Sequence, residues 1–88
     1  MKIKEGFIKR QVGARSVVVP IGEAAKEFHG MINLNETGGA FWDFLQEETT
    51  EEQVLQKILE IYEVEYEQAK KSFDDFLSKM REAGVLEE

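Results

Sequence analysis

The chain has no cysteine, one proline and one histidine, and it contains no apolar run of the roughly 18 residues that a membrane-spanning helix needs. Without cysteine there is no disulfide framework, no thiol nucleophile and no cysteine-based metal site, which points to a reducing cytoplasm. The opening Met1-Lys2-Ile3-Lys4-Glu5-Gly6 reads as an ordinary start rather than an export signal, so a membrane is not an expected partner. Catalytic chemistry is equally scarce. His29 lies between Phe28 and Gly30 and reads as a loop or strand-edge residue, and no serine has an evident base. No glycine loop runs into the Lys-Ser/Thr pair needed to cradle phosphate. Asp74 and Asp75 are neighbours on a helix and point about 100° apart, which disfavours a shared acid/base or metal site. No enzyme activity, metal or cofactor is expected.

Positive charge is scarce in the second half. Residues 1–30 carry six Lys/Arg against three Glu, whereas residues 31–88 carry five Lys/Arg against fifteen Asp/Glu, within a net charge of -7. A helical DNA binder needs a basic face to neutralise phosphates. Here the candidate recognition helices open on Glu51-Glu52-Gln53 and on Glu65-Tyr66-Glu67-Gln68, so nucleic acid is disfavoured.

What is present fits one domain spanning residues 1–88, a size at which folding buries only about 60–65% of the unfolded surface. Phe7–Val12 and Arg15–Ile21 are rich in Val, Ile and Phe, and Gly13-Ala14 between them suits a two-residue hairpin turn with glycine first. The Val17-Val18-Val19 run should be the best covered part of the sheet, with Pro20 marking a strand end or an edge. Residues 22–30 read as a connection with at most a helical turn. A third strand is expected at about Gly30–Leu34, passing directly into a helix capped by Asn35, with Glu36 at the positive end of its dipole. Gly38 and Gly39 each disfavour helix by up to about 1 kcal/mol relative to alanine, which suggests that another backbone passes close by.

Three helices should follow. The first covers about Asn35–Gln46, with Phe41, Phe44 and Leu45 on one face and Trp42 as a core anchor beside them. Thr50 and Gln53 form a capping box for the second, Glu51–Tyr62. The third covers Tyr66–Ala83 and is closed by Gly84. Its apolar arc of about 120° holds Tyr66, Ala69, Phe73, Phe76, Leu77, Met80 and Ala83. Lys70, Asp74 and Arg81 line one rim beside Leu77, and Ser72 and Lys79 line the other. The expected architecture is α+β, a three-stranded antiparallel sheet followed by three helices. If the third strand lies at the sheet edge, Met31-Ile32-Asn33-Leu34 offers neither Pro nor Lys as protection, and an extended peptide can add to it.

The Phe7-Ile8-Lys9-Arg10 strand, Val17-Val18-Val19-Pro20, the block Phe28-His29-Gly30-Met31-Ile32-Asn33-Leu34-Asn35-Glu36-Thr37-Gly38, Trp42, the Thr50-Glu51-Glu52 helix start and the Leu77–Leu86 close with Ala83-Gly84 together resemble the PqqD family. These are small peptide-binding chaperones whose domain is also called the RiPP recognition element. The resemblance implies a winged helix-turn-helix fold whose third strand accepts the leader segment of a ribosomally made precursor peptide, in a cleft against the third helix. It also implies presentation of that peptide to a modifying enzyme, often a radical S-adenosylmethionine protein. Carried over by position, the peptide-binding residues would be Met31, Ile32, Asn33 and Leu34 on the strand, with Lys70, Phe73, Asp74, Leu77 and Arg81 on the exposed helix rim. Gly39 departs from the alanine or larger apolar residue common in the family. The rival readings are a winged-helix DNA-binding regulator and a structural domain that forms a homodimer through the open edge.

Overall fold

The computed structural model describes residues 1–28 and 30–88, so the reading of His29 lies outside the described residues. The element order is β1 (Lys2–Ile3), β2 (Phe7–Val12), β3 (Arg15–Pro20), α1 (Ala24–Glu27), β4 (Ile32–Leu34), α2 (Glu36–Phe44), α3 (Glu51–Ile61), α4 (Tyr66–Ala83) and β5 (Leu86–Glu87). The main sheet has the order β2-β3-β4 and is antiparallel throughout. The hairpin between β2 and β3 turns at Gly13 and Ala14, closed by the Val12↔Arg15 pair, and Gly13 takes the left-handed φ of 65° that a glycine-first turn requires. Val18 in the central strand is fully buried, and Pro20 ends that strand.

The connection after β3 forms a single turn, α1, whose following residue Phe28 packs edge-on against Phe7 at a centroid distance of 5.4 Å. Two short strands extend the expected plan: β1 pairs antiparallel with β5, bringing Lys2 opposite Glu87. At two residues each they are too short to show a period in sequence.

Side-chain caps set the starts of α2 and α3. Asn35 Oδ1 accepts from the Gly38 N–H at 2.8 Å. Thr50 and Gln53 exchange both bonds of a capping box, and the buried Thr49 hydroxyl donates to Gln53 Oε1 as well. Gly84 closes α4 at φ 75°. The glycine pair in α2 has a different cause from the expected neighbouring backbone. A Cβ on Gly39 would come within 3.2 Å of the Ser16 hydroxyl, and one on Gly38 within 3.0 Å of Asn35 Oδ1, so side chains of β3 and of the helix cap fill that space.

One core joins sheet and helices. Val18, Ile32 and Leu34 from the sheet meet Phe41, Trp42 and Leu45 of α2, Val54, Leu55 and Ile58 of α3, and Phe73, Phe76, Leu77 and Met80 of α4. At its centre Phe41 lies 5.0 Å from Phe73 and 5.5 Å from Phe76, with the two α4 rings stacked at 6.2 Å. Tyr66, at the far end of the apolar arc, remains 55% exposed.

Two carboxyl groups bind the ends of the chain. Glu48 accepts from the N-terminal ammonium, and Glu88 accepts a two-pronged pair of bonds from Arg81 at 2.8 and 3.0 Å. These hydrogen bonds hold both carboxyls below the usual 4.5. A carboxyl depressed in the folded state contributes stability above its unfolded pKa and loses it as pH falls through the folded value. Both groups are exposed, so the effect is small. The urea midpoint is expected to be flat from pH 7 to about 5 and to fall below about 4.5, with a shallower fall in the Glu48→Gln, Glu88→Gln variant. An unchanged acid limb in that variant would remove these pairs from the explanation.

Candidate functional site

The strand order leaves β4 at one edge of the sheet. Its pattern is Ile32 and Leu34 buried at 6% and 4%, with Asn33 exposed between them. Against β3 the register is Ser16↔Leu34, Val17↔Asn33 and Val18↔Ile32. In an antiparallel ladder alternate residues direct both main-chain groups toward the partner strand or away from it. The Asn33 carbonyl accepts from Lys79 Nζ of α4 at 3.0 Å, so Asn33 is an outward-facing residue and its N–H points to the open side as well.

Beside this edge lies an open groove of about 380 Å³ between β4, the start of α2, and α4. Leu34, Phe41 and Phe76 give it an apolar floor. Its walls carry Asn33, Asn35 and Thr37 on one side and Ser72, Asp75 and Lys79 on the other, with Arg15 of β3 at the rim. The spacing 72, 75, 76, 79 is one helical face of α4. Among the described residues neither Arg15 nor Lys79 is in an ion pair, so the groove of this acidic chain holds two cations against the single carboxylate of Asp75. No group of three His, Asp or Glu side chains among the described residues is placed to hold a metal ion, and no helix among them is long and apolar enough to cross a membrane.

The residues selected from sequence divide into two sets. Asn33 and Leu34 line the groove, Ile32 turns its side chain into the core, and Met31 stands 61% exposed ahead of the strand. The helix residues lie elsewhere. Phe73 and Leu77 are buried at 0% and 4%, so they form no exposed rim. Lys70 sits between Glu51 of α3, at 3.2 Å, and Asp74 at 3.5 Å, and the Glu51 hydrogen bond first of all raises its pKa. Arg81 is held by Glu88, which raises its pKa too. This rim of α4 faces α3 and the C-terminus, and the rim with Ser72 and Lys79 faces the edge strand. The sequence alone does not separate the rims, because Lys70 has Asp74 at i+4 and Lys79 has Asp75 at i−4; the contact of Lys70 with Glu51 of α3 does. Lys79 also corrects the reading of β4 as unprotected: its guard comes from another element.

An antiparallel three-stranded sheet with the helices on one face and a groove along an edge strand defines a winged-helix-like α+β domain. Residues 15–86 match the family described as "Coenzyme PQQ synthesis protein D (PqqD)", and the chain belongs to that family. Among solved structures the fold is shared by the chain described as "TbiB1 in Complex with the TbiA(beta) Leader Peptide", at 21% identity and a TM-score of 0.75, over 99% of this chain and 95% of that one. No match is found among curated proteins.

Proposed function

We propose that this single domain, residues 1–88, binds an extended segment of a ribosomally made precursor peptide as an added strand on β4, and presents it to an enzyme that modifies the peptide. The observation that carries this reading is the outward-facing Asn33 backbone beside a groove with an apolar floor. Family membership supports it, as does the shared fold of a protein solved with a leader peptide. The main-chain groups of Asn33 supply two hydrogen bonds worth about 0.5–1.5 kcal/mol each, and an apolar side chain buried over Leu34 and Phe76 adds about 1.5–3 kcal/mol. Against an association cost of about 4–15 kcal/mol, such a ligand needs several anchors along its length, which favours a segment over a tripeptide. The role is that of a non-catalytic carrier, and the enzyme served belongs to the classes that alter precursor peptides, radical S-adenosylmethionine proteins included.

Titration of the isotope-labelled protein with peptides encoded by short reading frames beside its gene tests the reading. Amide shifts are expected at Ile32–Asn35 and on the Ser72, Asp75, Phe76 and Lys79 face of α4. Because Lys70 and Arg81 lie off the groove in ion pairs, the Lys70→Glu, Arg81→Glu variant is expected to keep its affinity within about twofold, as exposed pairs are worth little. Shifts centred on Lys70 and Arg81, with loss of binding in that variant, would move the site to the opposite rim. Saturable pairing of β4 with a second copy in sedimentation, without peptide binding, would favour the dimerisation reading instead.

A further inference from the structure

Among the described residues, the hydrogen bond that spans the mouth of the groove is from the Lys79 ammonium to the Asn33 carbonyl, at 3.0 Å. A strand added to β4 needs that same carbonyl as an acceptor for its own N–H. A carbonyl oxygen can accept two bonds, but an ammonium reaching from α4 to β4 lies across the groove that the incoming strand has to enter, so the ammonium is displaced when a strand docks. Four residues earlier on the same helical face stands Asp75, which also lines the groove. An acid four positions before a lysine is the favoured order for a helical ion pair, yet in this structure the described residues hold no such pair at Lys79, which is on Asn33 instead.

We infer that Lys79 is a two-position latch, resting on the Asn33 carbonyl when the β4 edge is empty and on the Asp75 carboxylate when an extended peptide pairs with that edge. The inference rests on the proposed strand addition. In the first position the cation does what edge lysines do in other sheets: it makes the border unattractive to a second copy. In the second, Asp75 gives the displaced charge a partner within its own helix, so the ligand need not supply one. Asp75 thereby lowers the cost of opening, and Lys79 sets that cost. The occupant is an extended peptide whose backbone, rather than a carboxylate side chain, takes the place of the ammonium.

The latch is tested by a double-mutant cycle. Peptides of twelve random residues are displayed and selected on the wild-type protein, and one selected peptide is titrated by calorimetry into wild type, Lys79→Met, Asp75→Asn and the double variant. Lys79→Met keeps the apolar stem and removes the charge. It is expected to bind about two- to tenfold more tightly, the worth of one net hydrogen bond. Asp75→Asn is expected to bind more weakly by about 1.4- to 2.3-fold, as an exposed helical ion pair is lost. The double variant is expected to match Lys79→Met, because without the ammonium Asp75 has nothing to receive. Weaker binding in Lys79→Met would mean that the cation contacts the ligand directly, and an Asp75 effect that persists without Lys79 would mean that it acts by itself. Either result overturns the latch while leaving peptide addition in place, as would equal affinities throughout. Failure to select any peptide that competes for the β4 edge overturns both. In the free protein the carbonyl carbon shift of Asn33 is expected to move between wild type and Lys79→Met, and an unchanged shift would deny the first position.

Discussion

Phe73→Ala is expected to destabilise the fold by about 3–5 kcal/mol, the usual range for truncating a fully buried phenylalanine. Phe73 is 0% exposed, lies 5.0 Å from Phe41 and stacks on Phe76, so its removal opens a void where α2 and α4 meet. Domains of this size are stable by about 5–15 kcal/mol, and each kcal/mol moves the thermal midpoint by about 4–8 °C. The midpoint should therefore drop by more than about 10 °C, read by circular dichroism. Phe73→Leu, which keeps most of the apolar volume, should recover over half of that loss. A Phe73→Ala midpoint within about 4 °C of wild type would show that the aromatic trio is not the centre of the core.

Asn33→Pro is expected to weaken peptide binding at least about tenfold, equivalent to 1.4 kcal/mol, with a much smaller change in stability. Asn33 directs its N–H away from β3, so proline at this position deletes no rung of the β3–β4 ladder. It removes the outward donor and sets a ring where an incoming strand would lie. Asn33→Ala, which loses only an exposed side chain, should bind as wild type does. Calorimetry with the same peptide decides the matter: wild-type affinity in Asn33→Pro would show that the ligand does not pair along β4. The obvious alternative, Leu34→Pro, is a poorer probe. Leu34 is 4% exposed, and its main chain faces β3, so that change would damage the sheet itself.

The contrast between Asn33 and Leu34 marks the limit of what sequence can reveal here. That Ile32 and Leu34 are inside follows from alternation of apolar residues. Whether Asn33 or its two neighbours donate outward depends on the side where β3 lies, a matter of topology that no period encodes. The long elements were legible for local reasons. Asn35, the Thr50–Gln53 box and Gly84 set the helix starts and stop, and the apolar positions of Tyr66–Ala83 gave α4 its bounds and nearly all of its buried face. The site was legible only on its strand side. Both rims of α4 carry cations beside apolar residues, and deciding between them requires knowing that Glu51 of α3 occupies the Lys70 flank. The guard of the edge was hidden for a similar reason, since Lys79 and Asn33 are 46 residues apart.

The clasp between β1 and β5 bears on how this domain can be joined to others. Lys2 sits opposite Glu87 and Ile3 opposite Leu86, so the two extremities are adjacent strands, about 5 Å apart. A linker of a few residues would close the backbone into a ring, allowing new openings to be cut elsewhere in a permuted version. Cargo fused before Lys2 or after Glu87 would depart from the same corner, so swapping the order of a fusion should leave its geometry nearly the same.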